Sequence, residues 1–245
     1  MLNVNYTWGK AINFVDNSSY TPSIQSISHM NMNRAETGFD RPHNLQITNI
    51  WDLPLGRGKQ WLANTPGVTA IVSGWQVNNL ISIMSGRPFN VWGDCGAAWP
   101  GNSPTMIDTI GKPKKVGSAS TFWYDPYAFA ETFDPNNPGV CETRLGTSGF
   151  NNLRSAGVFN WDFGLFRDFA ITERVHLQFR AEAFNFTNTP HYDYPDNYIG
   201  DANAIDQKTG KVTDPGTFMT IQGVQDLARE GIDERQFRIG LRISF

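Results

Sequence analysis

The feature that most constrains this sequence is an alternation of apolar and polar side chains that recurs in six segments. Successive side chains of a β-strand point to opposite faces, so this alternation predicts strands with one apolar and one polar face. The apolar positions are Leu2, Val4, Tyr6 and Trp8; Leu45, Ile47, Trp51 and Leu53; Trp75, Val77, Ile81 and Ile83; Phe159, Trp161, Phe163, Leu165 and Phe169; Val175, Leu177, Phe179, Ala181 and Ala183; and Phe237, Ile239, Leu241, Ile243 and Phe245. Asn49 and Asn79 each interrupt one apolar set. The sequence therefore predicts an all-β chain of about six strands.

The length of these segments favours strands that cross a membrane. Each runs for roughly nine to eleven residues, which is the length that a tilted strand needs to cross a bilayer. Strands of soluble proteins average nearer five or six residues. A soluble sandwich with one face on a core and one in water would produce the same alternation. Alternation alone therefore leaves both architectures open.

The connections between the segments separate the two architectures. They measure about 35, 20, 75, 5 and 50 residues in chain order, so that long and short connections alternate, as in outer-membrane barrels. Structureless loops beyond about 15 residues are uncommon in compact soluble domains. We therefore expect antiparallel transmembrane β-barrel strands with long extracellular loops and short periplasmic turns. About six strands form only an incomplete barrel, because about eight is the usual bacterial minimum.

Composition and charge fit a patterned membrane protein. Charged residues make up 18% of the chain, below the roughly 25% of soluble domains, whereas aromatic residues reach 13%. The mean hydropathy of −0.39 means that membrane contact must come from pattern rather than from continuous apolar stretches. A net charge of −3 gives no basic face for nucleic acid. Residues 61–86 are uncharged, but Pro66, Gly67 and Gly74 argue against a transmembrane helix there.

The polar faces of the last two segments carry charges that we expect to face a water-lined lumen. The predicted lumen-facing residues are His176, Gln178, Arg180, Glu182, Arg238 and Arg242. An arginine turned toward lipid costs about 2–4 kcal/mol at the membrane midplane, so these charges fix which face points inward. A one-residue slip in register would expose all of them. We expect Glu182 to pair with Arg238 or Arg242 across the hairpin.

The long connections contain the candidate contact residues. Cys95 and Cys141 lie in one polar segment, where either a disulfide or two unpaired thiols fit the sequence. The aromatic residues Trp99, Trp123, Tyr124 and Tyr127 are the candidate contacts to an extracellular ligand. The sequence also predicts a short helix over residues 224–230.

No constellation in the sequence supports catalysis or a cofactor. His29, His43, His176 and His191 lack the spacing of metal ligands, and no nucleophile elbow or phosphate-binding loop occurs. A run of oxygen-bearing side chains lacks the EF-hand spacing for Ca²⁺ and is interpreted as solvated loop polarity; it comprises Asp193, Asp196, Asn197, Asp201, Asn203 and Asp206. We expect a protein that is not an enzyme and has no cofactor.

The last eight residues resemble a known assembly signal. Arg238, Gly240, Ile243 and Phe245 combine a polar residue, a glycine and apolar positions two apart that end in an aromatic residue. This pattern is similar to the C-terminal signal that the bacterial barrel-assembly machinery reads. The physical basis is strand addition, in which an exposed edge pairs through its main chain and alternate side chains give selectivity. The alternative is an amphipathic edge strand that simply ends the chain.

Six segments together resemble the Oar-like TonB-dependent outer-membrane receptors. They are Tyr6 to Lys10 (Y-T-W-G-K), Asp40 to His43 (D-R-P-H), Leu53 to Lys59 (L-P-L-G-R-G-K), Gly74 to Val77 with Ser85 to Phe89 (G-W-Q-V and S-G-R-P-F), Asn160 to Phe163 with Ile171 to Arg174, and Phe179 to Asn185 (F-R-A-E-A-F-N). They follow the order of that family and span nearly the whole chain.

This resemblance implies a plugged barrel of about 22 strands that is driven through TonB. The sequence departs from the family because it contains no plug, TonB box, carboxypeptidase-regulatory-like domain or signal peptide. We therefore expect residues 1–245 to be the C-terminal segment of such a receptor, with loops that recognise an extracellular ligand. The expected partners are outer-membrane lipid, the barrel-assembly machinery, an unidentified extracellular ligand and, through absent N-terminal parts, the TonB system. The alternative is a soluble secreted β-sandwich for carbohydrate binding or adhesion.

Overall fold

The computed structural model describes residues 1–14, 27–63, 67–95, 105–172, 174–225 and 234–245. Six long strands, labelled β1 to β6, form one sheet. They are β1 (Leu2–Trp8), β2 (His43–Asp52), β3 (Trp75–Met84), β4 (Val158–Ala170), β5 (His176–Phe184) and β6 (Gln236–Ser244). Each strand pairs with the next in antiparallel fashion, and the sheet does not close between β1 and β6. The predicted all-β, antiparallel and incomplete barrel is confirmed.

The register of the sheet sorts its side chains onto two faces. Phe163 lies opposite Ala183, Leu177 opposite Ile243 and Tyr6 opposite Leu45, so the apolar sets of neighbouring strands share one side. We call this side the apolar face; it contains the odd-numbered residues of β2 to β6 and the even-numbered residues of β1. The opposite side is the polar face, and it holds Asn5, Gln46, Ser82, Asp162 and Glu182.

Many side chains of the apolar face are exposed. Trp8 keeps 68% of its surface, Trp51 53% and Leu241 70%. In a sandwich these side chains would be buried against a second sheet. The soluble-sandwich alternative is therefore wrong for this sheet, because the surface that would form its core is open. An apolar, aromatic-rich outer face is the arrangement of a membrane barrel.

The three long connections leave the same end of the sheet. They span residues 9–42, 85–157 and 185–235, and their described parts are called the loop cap. The two shorter connections, residues 53–74 and 171–175, leave the opposite end, called the turn end. The chain therefore has the predicted alternation of long and short connections. The first short connection contains the helix α1 (Val68–Val72).

The loop cap is built from short paired strands and 3₁₀ turns. The pairs are Ile12–Asn13 with Ala35–Glu36, Pro88–Phe89 with Leu153–Arg154, Trp92–Gly93 with Thr105–Met106, Asp108–Thr109 with Phe129–Ala130, and Ala204–Ile205 with Val212–Asp214. The 3₁₀ turns are Ile27–Asn33, Pro126–Ala128 and Ile199–Asp201. The helix predicted over residues 224–230 falls mostly outside the described residues.

The hydrophobic core lies in the loop cap rather than beneath the sheet. Its buried residues are Phe89, Val91, Ile107, Trp123, Tyr124, Ala128, Phe129, Leu153, Ala156, Ile199, Val212, Phe218 and Met219. Sequence reasoning treated these segments as polar loops because their apolar residues follow no strand or helix period. Within the described residues, no helix has the length and apolar character needed to span a membrane.

Candidate functional site in the loop cap

Arg154 ties the first long connection to the second where the loop cap meets the sheet. It belongs to the short strand that pairs with Pro88–Phe89. Its guanidinium contacts the carboxylates of Glu36 and Asp40, the latter at 2.9 Å, and donates to the carbonyl oxygen of Gly86 at 3.0 Å. The Asp40 side chain is only 4% exposed. A buried carboxylate of this kind requires a charged partner, so Arg154 is essential to the junction.

Arg41 connects the same junction to the third connection. Its Nη1 donates to the carbonyl oxygen of Ser85 at 2.7 Å, and its Nη2 donates to Gln225 Oε1 at 2.7 Å. Gln225 is itself buried and donates to the carbonyl oxygen of Tyr192 at 2.6 Å. Burial, and then the neighbouring charge of Arg87, lower the pKa of Arg41. Arg41 thus joins all three connections through neutral oxygen acceptors.

Arg87 supplies the third arginine of this junction. It forms an ion pair with Asp193 at 2.9 Å and lies 5.7 Å from the centroid of the Tyr194 ring. Its backbone N–H donates to Ser155 Oγ at 3.0 Å. The preceding Gly86 packs so closely that an added Cβ would lie 2.0 Å from the carbonyl oxygen of Ser155. The glycine before Arg87 is therefore required for this contact.

The junction explains two of the quoted sequence motifs. Arg41 belongs to the segment D-R-P-H and Arg87 to S-G-R-P-F, which are 46 positions apart in sequence. In the sequence both motifs served only as family markers. The sequence did not show that they come together at one junction, nor that Arg154 and Glu36 belong to it. The signal was one arginine just before β2 and one just after β3, at strand ends that antiparallel pairing brings together.

The predicted aromatic ligand contacts divide into buried and exposed residues. Trp123 and Tyr124 are 7% and 8% exposed and belong to the core, so their assignment as ligand contacts is wrong. Trp123 Nε1 donates to the carbonyl oxygen of Arg154 at 2.8 Å, and the Tyr124 hydroxyl accepts from the Arg154 N–H at 3.2 Å. Tyr127 is 54% exposed and remains available. Trp99 lies outside the described residues.

Cys95 and Cys141 form a disulfide, which resolves the alternatives left open by the sequence. The buried carboxylate of Glu131 lies beside this bridge. It accepts hydrogen bonds from the backbone N–H groups of Asp94 and Thr132, both at 3.2 Å. Burial raises the pKa of Glu131, although these hydrogen bonds oppose the shift. The disulfide region is thus a packed part of the cap.

The acidic run in the third connection stabilises local turns. Asp196 accepts from the N–H of Tyr198 at 3.2 Å and from Thr217 Oγ1 at 2.8 Å. Asp206 accepts from the N–H of Lys208 at 2.8 Å. Burial, followed by the charge of Asp196, raises the pKa of Asp201. In the part of the chain that the structure describes, no group of three or more His, Cys, Asp or Glu side chains is arranged to hold a metal ion.

An aromatic pair joins the second and third connections. The rings of Trp92 and Tyr198 stack with centroids 4.2 Å apart, and Trp92 Nε1 donates to Asn197 Oδ1 at 3.3 Å. The Tyr198 hydroxyl donates to the carboxylate of Asp94. Burial, and then this hydrogen bond, raise the pKa of Tyr198. Both rings are half-buried, so the pair presents flat aromatic surface next to a carboxylate.

The six predicted lumen-facing residues share the polar face of β5 and β6. Glu182 lies directly opposite Arg238, and Gln178 lies opposite Arg242. Among the described residues, Glu182 forms an ion pair with neither Arg238 nor Arg242, contrary to expectation. Arg238 instead lies 4.8 Å from the centroid of the Phe184 ring, because a ring face offers a cation an alternative partner. The polar face also lines an open hollow of about 360 Å³ between β2 and β5.

The residues of the predicted assembly signal lie on an edge strand. Arg238 and Gly240 belong to the polar face of β6, and Ile243 belongs to its apolar face. Ile243 is 64% exposed, and Phe245, which follows the strand, is 99% exposed. An exposed edge whose alternate side chains are accessible is the geometry that strand addition requires.

The two asparagines that interrupt the apolar pattern bond to each other. Asn49 and Asn79 are direct cross-strand partners, and Asn79 Nδ2 donates to Asn49 Oδ1 at 3.3 Å. Trp161 Nε1 donates to Asn79 Oδ1 at 3.0 Å, and Asn49 Nδ2 donates to the carbonyl oxygen of Met1 at 3.3 Å. This amide row runs from β1 to β4, and its hydrogen bonds offset the cost of polar groups on an apolar surface. The sequence showed the two interruptions but not their pairing.

Comparison with protein families identifies a family to which the chain is similar. The model of the family described as "Outer membrane beta barrel domain" matches residues 1–237, which cover β1 to β5 and the start of β6. Comparison with curated proteins and with solved structures found no match for the chain. The match agrees with the exposed apolar face and with the alternation of long and short connections. The chain therefore belongs to the outer membrane β-barrel domain family and is located in the outer membrane.

Proposed function

We propose that this chain forms the C-terminal part of the wall of a TonB-dependent receptor, and that its loop cap recognises an extracellular ligand. The proposal is supported by the six sequence segments that resemble Oar-like receptors. In this interpretation the loop cap is extracellular, the turn end is periplasmic and the polar face lines the lumen. The chain acts as a scaffold and recognition surface and not as an enzyme. Barrel-assembly machinery inserts it, and the TonB system acts through other parts of the receptor.

The observation that carries the proposal is where the chain places its core. Almost all fully buried apolar side chains lie in the loop cap, and Arg41, Arg87 and Arg154 join its three connections. A porin-like wall needs no such core, since its strands are held by the barrel itself. Ligand recognition does need one, because a surface ordered in advance loses less conformational entropy on binding. A built cap on membrane strands therefore favours a receptor.

The ligand-contact surface that we infer combines Tyr127 with the stacked pair Trp92 and Tyr198. These side chains are at least partly exposed, whereas Trp123 and Tyr124 are buried in the core of the loop cap. Aromatic rings beside carboxylates suit ligands with hydroxylated or cationic groups. The proposal does not extend to nucleic acid, since the chain has a net charge of −3.

An uptake experiment tests the receptor function. Cells of the source bacterium that lack the coding segment are compared with wild-type cells for uptake of labelled oligosaccharides, peptides and metal chelates, with and without a protonophore. We expect the deletion to abolish uptake of one compound class, and that uptake to be sensitive to the protonophore. A matched strain with Tyr127→Ala should lower that uptake, while Lys112→Ala, also an exposed cap residue, should not. Unchanged uptake of every class in the deletion strain would refute the receptor assignment.

A further inference from the structure

The described part of the connection between β2 and β3, residues 53–63 and 67–74, exposes a group of large apolar side chains. Trp61 is 55% exposed, Leu62 44%, Val68 39% and Ile71 67%. The whole connection from residue 53 to residue 74 contains Arg57 and Lys59 and no acidic residue. It thus combines apolar surface with a purely positive charge, a combination typical of segments that lie at a membrane surface.

This apolar surface is held in place by the fold of the connection. The Gly56 N–H donates to the Trp61 carbonyl oxygen at 2.8 Å, and the Trp61 N–H donates to the Pro54 carbonyl oxygen at 3.1 Å. Gly56 has φ of 91°, and an added Cβ would lie 2.0 Å from Ser73 Oγ. Thr69 Oγ1 donates to the carbonyl oxygen of Leu62 at 2.8 Å, which fastens α1 to the turn before it. The exposed side chains are therefore presented in one defined arrangement.

The helix α1 lies on the side of the sheet that carries the apolar face. Trp75 Nε1 donates to the carbonyl oxygen of Ile71 at 2.9 Å, and the guanidinium of Arg167 donates to that of Ala70. Trp75 and Arg167 are cross-strand partners on the apolar face. The helix is therefore continuous with the surface that contacts lipid and does not lie beneath the polar face.

Arg167 is the one arginine on the apolar face of strands β1 to β6. Its contact with α1 explains why an arginine occupies this face. Its guanidinium lies 5.4 Å from the Trp75 ring centroid and 4.2 Å from that of Phe169, near the turn end of β4. Aromatic residues and arginine side chains both favour the boundary between lipid and water. The helix thus meets the sheet at the level where the membrane surface is expected.

We propose that residues 53–63 and 67–74 form an interfacial membrane anchor at the turn end of the barrel. Val68 and Ile71, with Trp61 and Leu62, enter the boundary between headgroups and acyl chains, and Arg57 and Lys59 face anionic headgroups. The occupant of this surface is the phospholipid leaflet itself, because α1 is bonded to Trp75 and Arg167 of the apolar face, the side of the sheet that contacts lipid. This inference goes beyond the proposed function, since it requires neither a ligand nor coupling to TonB.

Depth-dependent quenching tests the anchor. Ile71→Cys and, separately, Val68→Cys are labelled with an environment-sensitive fluorophore in the full chain. The labelled chain is inserted into phosphatidylethanolamine–phosphatidylglycerol vesicles with or without brominated acyl chains. The chain has two cysteines, which form the Cys95–Cys141 disulfide, so each variant has one reactive thiol. Leu241→Cys on the apolar face is the membrane control, and Val116→Cys, 53% exposed in the loop cap, is the aqueous control.

We expect brominated lipid to quench the labels at residues 71, 68 and 241 but not the label at residue 116. Aqueous iodide should quench the label at residue 116 several-fold more strongly than the other three labels. Iodide quenching at residues 71 and 68 equal to that at residue 116, with residue 241 still in lipid, would overturn the anchor and leave the membrane barrel intact. Labels at residues 71 and 68 that neither quencher reaches would also overturn it, because they would lie against protein. Absence of lipid quenching at residue 241 as well would refute the lipid-facing sheet itself.

Discussion

At the scale of single residues, the loop cap depends on buried carboxylates that are paired with arginine side chains. Asp40 is almost completely enclosed and shares the guanidinium of Arg154 with Glu36. Arg144 makes a similar double contact with Asp108 and Glu142, but its side chain is 44% exposed. The two arginines have comparable partners and differ in solvent access, which decides how much each pair contributes to stability.

We predict that Arg154→Gln opens the junction between the first and second long connections. The substitution leaves the buried carboxylate of Asp40 without a cation, which costs on the order of 3–5 kcal/mol. Arg144→Gln is the matched control and should cost about 0–1 kcal/mol, since the Arg144 side chain is 44% exposed to solvent. Limited proteolysis of the membrane-inserted chain, followed by mass spectrometry, measures the opening as new cleavage in residues 27–42 and 85–95. Equal cleavage of the two variants would contradict the role given to Arg154.

At the scale of elements, the strands show how far a two-residue period determines a membrane sheet. The apolar sets of β1 to β6 align on one face because each register matches apolar with apolar positions. The interruptions at Asn49 and Asn79 keep this alignment because they lie opposite each other and bond. A polar residue on the lipid side is tolerated when the neighbouring strand provides its partner.

We predict that Leu241→Arg blocks assembly of the chain into membranes, whereas Ser244→Ala has little effect. Leu241 is 70% exposed on the apolar face of β6, and an arginine there would cost about 2–4 kcal/mol near the midplane. Ser244 lies on the polar face at the end of the strand, where loss of a hydroxyl exposes no charge to lipid. The fraction of folded protein in the outer-membrane pellet, measured by the heat-dependent shift in gel mobility, distinguishes the variants. Equal assembly of both would count against the lipid-facing assignment of β6.

At the scale of the whole molecule, the chain consists of an open membrane sheet and a packed cap that stabilise themselves differently. Main-chain pairing and lipid contact stabilise the sheet. The cap has its own hydrophobic core, three arginine contacts and the Cys95–Cys141 disulfide. The bridge joins residues separated by 46 positions, and closing a loop of this size removes much of the freedom of the unfolded cap.

We predict that replacing both cysteines, Cys95→Ser with Cys141→Ser, loosens the cap but leaves the sheet assembled. The expected loss is about 2–4 kcal/mol of cap stability, because the unfolded second connection regains its entropy. Proteolysis should then cut residues 105–157 at lower protease concentration, while membrane insertion stays at the wild-type level. If the double variant lost both its membrane insertion and the resistance of its cap to protease, the cap and the sheet would fold as a single unit.

The sequence by itself determined the strands of the sheet, its two faces and the alternation of long and short connections. It also determined the outer-membrane location. A strand's alternation is local, so it can be read from neighbours along the chain, and lipid on one side enforces it over the full strand length. The anchoring of Arg41, Arg87 and Arg154, the burial of Trp123 and Tyr124, and the amide pair of Asn49 and Asn79 were decided only by the tertiary structure. Each depends on contacts between residues far apart in sequence, within loops that have no period or between strands whose register no single segment specifies.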